Sequence, residues 1–179
     1  GHGDTLGISV WGPGSYVSKA AAEKNNWLRK AAENGNPDSQ YELGSNYEFG
    51  FISLGITKDL AEAAKWFRKA AEQGHTRAED SLGFLYGGGR GFPKNKAEET
   101  KWNRMAFKGY CKAAERGDTD SKLSLGRFYA SGRGVSKDPV ELYKWFHLVF
   151  KQDAYEGDES WDCDVMAHRD SFALNSKMT

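Results

Sequence analysis

The sequence predicts an all-α chain folded as an α-solenoid of helix–turn–helix repeats, and three observations carry the prediction. Leu-Gly pairs recur at Leu43-Gly44, Leu82-Gly83 and Leu125-Gly126, and a tyrosine follows each leucine by four residues, at Tyr47, Tyr86 and Tyr129. Tryptophans recur at Trp66, Trp102 and Trp145, and the tetrapeptide KAAE at 30–33, 69–72 and 112–115. The Leu-Gly pairs stand 39 and 43 residues apart; setting aside three extra residues at FISLG (51–55) and seven between Trp102 and Gly117 brings both spacings to 36. A period of that size marks an array in which each unit buries its apolar face on its neighbour.

The elements follow in order. Residues 19–35, KAAAEKNNWLRKAAENG, read as the second helix of an earlier unit. Its first helix would fall in 1–18, where Leu6-Gly7 stands 37 residues before Leu43-Gly44; an ordered but atypical tail is the alternative. The next first helix spans Pro37 to Phe49, with Leu43 and Tyr47 four apart on one face. Its companions begin near Thr76 and Thr119. Second helices begin at Asp59, Asn95 and Asp138, each with a glutamate three residues later: Glu62, Glu98 and Glu141. That spacing predicts a capping box, in which the cap side chain and the glutamate each satisfy one backbone N–H. Pro139 takes the first helical position, where its missing N–H costs nothing. Glycines close the units at Gly35, Gly74, Gly117 and Gly157. The chain therefore reads as one repeat domain over 1–179: a degenerate or partial first repeat at 1–35, repeats at 36–74, 75–117 and 118–157, and a C-terminal capping helix at 158–179. In the last repeat FHLVFKQDAYEG replaces the KAAE stretch and predicts a longer second helix. Recurrence of Trp27, Trp66, Trp102 and Trp145 at one repeat position predicts core packing for all of them.

The stretch YGGGRGFPKN (86–95) raises the question of a phosphate cradle, since glycine backbone lets N–H groups approach an anion. No Gly-Lys-Ser/Thr follows and no apolar strand-like run precedes it. Gly89 and Gly91 recur as Gly132 and Gly134 in YASGRGVSKD (129–138), so the segment reads as the turn between the two helices of a unit. Arg90 and Arg133, between those glycines, offer a contact to an acidic partner as the lesser alternative.

Composition removes other classes. Lys plus Arg and Asp plus Glu both number 25, giving no electrostatic reason to expect nucleic acid or an anionic membrane surface. No apolar run is long enough to span a bilayer. No pair among His2, His75, His147 and His168 has metal-ligand spacing on a helix, and Cys111 and Cys163 form no metal or redox motif. The acidic run from Asp153 to Asp164 fails as a calcium loop, with Gly157 where an oxygen ligand belongs. The expectation is a chain with no catalytic residues, no cofactor and no metal.

The pattern "LG…Y…G.G…D…W…KAAE.G", carried by Leu82, Gly83, Tyr86, Gly89, Gly91, Trp102, 112–115 and Gly117 and repeated in the flanking units, resembles the SEL-one-like repeat family, relatives of the tetratricopeptide repeats. The resemblance implies a right-handed α-solenoid that serves as a non-catalytic adaptor or scaffold for a protein or peptide partner. A bacterial immunity or inhibitor protein that occludes a cognate toxin is the alternative it implies, and a periplasmic or secreted location in a bacterium is slightly favoured. In such solenoids the first helices are expected to line the concave side. With each repeat leucine at zero and a turn of about 100° per residue, positions four away share the core face, while positions two away fall about opposite it. Those outward positions are Tyr41 and Ser45, Asp80 and Phe84, and Leu123 and Arg127, a row whose Tyr, Phe, Leu and Arg suit a partner interface.

Overall fold

The computed structural model describes residues 19–51 and 54–150. Seven helices follow one another there: α1 (Lys19–Glu33), α2 (Pro37–Phe49), α3 (Leu60–Glu72), α4 (Thr76–Gly88), α5 (Lys96–Glu115), α6 (Thr119–Ser131) and α7 (Pro139–Phe150). Each helix packs on the next, so α2–α3, α4–α5 and α6–α7 form hairpins stacked into an α-solenoid.

Short polar side chains set the helix starts. Asn36 accepts from the Ser39 N–H at 2.8 Å ahead of Pro37, and Asp118 accepts from Ser121 at 2.8 Å. Asp59, Asn95 and Asp138 each accept from the two N–H groups beyond the first helical residue, at 2.9–3.1 Å. The reciprocal half of the predicted capping box is absent. The cap N–H of Asp59, Asn95 and Asp138 donates instead to the carbonyl of the repeat tyrosine, Tyr47, Tyr86 and Tyr129, at 2.8, 3.3 and 3.3 Å. With that donor taken, the glutamates turn elsewhere: Glu62 to Lys65, Glu141 to Lys144, and Glu98 to the Trp102 indole N–H at 2.8 Å.

The Leu-Gly pair explains the contact within each hairpin. Leu43, Leu82 and Leu125 are fully buried, each worth about 1.5–3 kcal/mol of transfer free energy. The adjoining glycine lets the second helix come close: a Cβ on Gly44 would stand 2.7 Å from the Phe67 ring, and one on Gly126 3.3 Å from Phe146. In the middle hairpin the partner of Gly83 is Asn103, a polar residue 1% exposed where the other units hold phenylalanine.

The loop glycines have two separate duties. Gly89 and Gly132 end α4 and α6 in the left-handed region, at φ 63° and 71°. Gly91 (φ 82°) and Gly134 (φ 70°) pack the loop onto the preceding unit, where a Cβ would stand 2.6 Å from the Leu60 carbonyl oxygen and 3.0 Å from Asn103 backbone. The stretch that resembled a phosphate cradle is a joint between units.

Residues of both insertions pack onto the buried clusters. α5 has 20 residues against 13 in α3, and the seven extra are nearly two whole turns that keep the apolar face in phase. They bring Phe107, Tyr110 and Cys111 into a buried cluster with Phe128, Tyr129 and Trp145. Leu54 of the other insertion and Ile56 just after it close over Leu28, Leu43 and Trp66, and the Asn25 amide donates to the Leu54 carbonyl at 3.1 Å.

Trp66, Trp102 and Trp145 are buried as expected, but Trp27 is 74% exposed. The other three lie against the first helix of their own hairpin, and among the described residues α1 has no such helix before it. The expectations for 1–18, the KQDAYEG end of the last repeat, the acidic run, Cys163, His2, His168 and the capping helix at 158–179 lie outside the described residues.

Candidate interaction groove

Alternation of helices puts α2, α4 and α6 side by side on one layer. Position two before the repeat leucine then supplies Tyr41, Asp80 and Leu123, which line one open groove of about 340 Å³ with Arg127. Arg77, Ser81, Asp120 and Ser124 complete the rim, and Tyr110 from the lengthened α5 forms part of the floor.

The expected row of six does not lie in one place. Tyr41, Asp80, Leu123 and Arg127 come together; Ser45 is half-buried outside the groove. Phe84 is 45% exposed but lines a separate depression with Gly83, Gly87 and Arg90. Positions two before and two after the leucine share an angular face but sit about 6 Å apart along the axis.

The four that meet differ in how far they are committed. Tyr41 is stacked on the His75 ring at 4.7 Å and tilted against Phe67 at 5.6 Å, so much of it belongs to the core. Asp80 accepts from the Tyr110 hydroxyl at 3.3 Å and pairs with Arg133 of the α6–α7 loop. Arg77 faces Asp120 at 3.4 Å, an exposed pair worth well under about 1 kcal/mol. Leu123 is half-buried, and Arg127 is exposed and forms no ion pair among the described residues. Burial raises the Tyr110 hydroxyl above its ordinary range, so the groove floor carries a neutral phenol across ordinary pH.

His75 is a structural residue. It caps α4, its Nδ1 accepting from the Ala78 N–H at 3.2 Å, while Nε2 lies 3.3 Å from Asp38. Burial is the main cause holding its pKa below the usual histidine value. Among the described residues no group of three or more His, Cys, Asp or Glu stands together to hold a metal ion, and no helix is long and apolar enough to cross a membrane.

Two arginines outside the expected set tie the units together. Arg29 Nη2 donates to the Tyr47 hydroxyl at 2.8 Å, and Arg68 donates to the Tyr86 hydroxyl, each across a repeat boundary. The signal was present in the sequence: arginine stands two residues after tryptophan at Trp27/Arg29, Trp66/Arg68 and Trp102/Arg104.

A family model for the Sel1 repeat matches residues 25–36, 37–75, 76–118 and 120–148. Among solved structures, the chain is 39% identical over 73% of its length, at a TM-score of 0.50, to a protective antigen present in uropathogenic Escherichia coli strains that displays an SLR fold. It is 33% identical over 76% of its length, at a TM-score of 0.48, to a Sel1 repeat protein from Oxalobacter formigenes. The chain spans 26% of the first of these proteins and 64% of the second. No curated protein matches it. Leucine, glycine, tyrosine and tryptophan at one corrected period, stacked hairpins and the family match converge: this chain belongs to the Sel1 repeat family.

Proposed function

We propose that the chain is a non-catalytic interaction scaffold that holds a peptide segment or folded partner in the groove formed by α2, α4 and α6. Sel1 repeats are in general protein–protein interaction scaffolds, which supports the class. The observation that carries the specific reading is the pair Leu123 and Arg127, one turn apart on α6: an apolar side chain outside the buried clusters and a guanidinium in no ion pair among the described residues, both on the groove wall. A stiff frame around such a pair lowers the ordering cost of association. Partner choice then depends on residues outside the repeat pattern.

The test is capture from lysate of the source organism, with wild type beside a Leu123→Ala/Arg127→Ala double variant of matched helicity by circular dichroism. A protein retained by wild type and lost with the variant supports the groove. Equal capture by the two puts the binding surface elsewhere on the chain.

A further inference from the structure

Beyond the Asp80–Arg133 pair lies a second depression, and its character differs from that of the groove. Asp80 lines the groove and Arg133 the second depression, so the pair stands where the two adjoin. The groove presents Arg77 and Arg127 against Asp80 and Asp120, a balanced set. The second depression presents Arg90, Lys94, Lys96 and Arg133 against the single carboxylate of Glu99, with the Phe84 ring beside them. Gly83, Gly87 and Gly88 of α4 form the wall beside them.

Two of the four cations are already engaged. Arg133 pairs with Asp80, and Lys96 lies 3.1 Å from Glu99. Arg90 and Lys94 are exposed and form no ion pair among the described residues, although the half-buried Glu48 feels the field of Arg90 together with Lys58. The Arg90 guanidinium carbon stands 4.7 Å from the Phe84 ring centroid. A guanidinium held against a ring keeps its N–H fork directed outward, the arrangement that suits a planar carboxylate. The Nε of Arg133 is buried and has no hydrogen-bond acceptor among the described residues.

We propose that this depression docks an acidic segment of a partner protein, with Asp or Glu carboxylates on Arg90 and Lys94 and an adjoining apolar side chain on Phe84. Carboxylates suit the site better than a phosphate backbone. Nucleic-acid affinity grows with the number of phosphates neutralised, and two uncommitted cations on a chain of zero net charge supply too few. The proposal uses none of the groove residues Leu123 and Arg127, so it stands or falls separately from the groove.

The test is fluorescence anisotropy of the full chain with a short fluorescein-labelled peptide of Asp, Glu and Leu, beside the same peptide with Asn and Gln in place of the acids. The acidic peptide should bind about tenfold more tightly at low salt, and the gap should close as salt rises. Arg90→Ala/Lys94→Ala should weaken the acidic peptide about tenfold, and Phe84→Ala should weaken it several-fold at every salt concentration. Leu123→Ala/Arg127→Ala should leave it unchanged. Equal binding of the two peptides, no binding, or an unaltered Arg90→Ala/Lys94→Ala variant overturns the proposal. Tighter binding of a single-stranded oligonucleotide, lost with the same variant, gives the site to nucleic acid instead. Peptide binding that emerges only after the acids within 153–164 are changed to their amides gives it to the chain's own acidic run.

Discussion

Arg133, in the loop between α6 and α7, pairs with Asp80 of α4 across 53 residues of sequence. The pair is a little under one-third exposed on each side, and Asp80 also receives the Tyr110 hydroxyl, so one carboxylate joins a first helix, its own second helix and the loop of the next unit. Removing the carboxylate leaves the Arg133 guanidinium half-buried and unpaired. Asp80→Ala should therefore cost about 1–2 kcal/mol in urea unfolding, between the values for surface and fully buried pairs. A cycle with Arg133→Ala should show a coupling of about 1 kcal/mol; additive losses would mean that the pair contributes nothing to the stack.

Two glycines with the same backbone angle separate strain from crowding. Gly74 and Gly91 both have φ 82°; a Cβ on Gly74 meets nothing within 4 Å, whereas one on Gly91 stands 2.6 Å from the Leu60 carbonyl oxygen. Gly74→Ala should cost about 1–2 kcal/mol, the left-handed penalty alone. Gly91→Ala should cost at least about 1 kcal/mol more, because backbone on the neighbouring unit has to shift. Equal losses would remove the loop from the joint between units.

The helical glycines should respond unequally. A Cβ on Gly83 would lie 2.1 Å from Asn103 Oδ1, while one on Gly126 would lie 3.3 Å from Phe146. Gly83→Ala should lose about 2–3 kcal/mol because Asn103, 1% exposed, has little room to turn. Gly126→Ala should come out near neutral, since alanine's helix propensity returns up to about 1 kcal/mol. Thermal midpoints of the two variants check the order.

Glu79 sets a pH dependence. It stands three residues before Leu82, 5% exposed, and desolvation raises its pKa from 4.5 to about 6. A carboxyl that binds its proton more tightly when folded gives stability present below the unfolded pKa and lost as pH rises. Stability should thus fall by about 1–2 kcal/mol between pH 4.5 and 6 from this group. His75, depressed by burial, acts in the opposite sense, and its contribution is lost as pH falls below about 6.5. Glu79→Gln should remove the first limb and keep the second. It should also raise stability at pH 7, by setting an amide where Gln40 of the previous unit donates to the Ala32 carbonyl at 3.0 Å. An unchanged pH profile in the Gln variant would show that burial does not raise the Glu79 pKa in the fold.

The helix starts were legible in sequence because they rest on local chemistry: Pro37, Asp59, Asn95 and Asp138 act within one turn of themselves. So was the fold, since a 36-residue period is visible once two insertions are set aside. What could not be read depended on a second element packed against the first. The cap N–H at Asp59, Asn95 and Asp138 finds the tyrosine carbonyl only after the hairpin closes. A helical projection places Phe84 with Asp80 by angle alone, and cannot know that Arg133 from the next loop intervenes between their surroundings. Trp27 fits the repeat register, but register tells only which way a side chain points along its own helix; a partner helix has to be there to bury it.

The extra turns of α5 have a consequence for recognition. A strictly periodic array offers a ligand the same surface at every step, and a long partner can then settle in several positions shifted by one unit. α5, 20 residues where α3 has 13, lengthens one rung by about 10 Å and brings Tyr110 to the groove floor there. The degeneracy is broken: among the described residues this rung is set apart from α3, and a partner that reads it is held in one alignment.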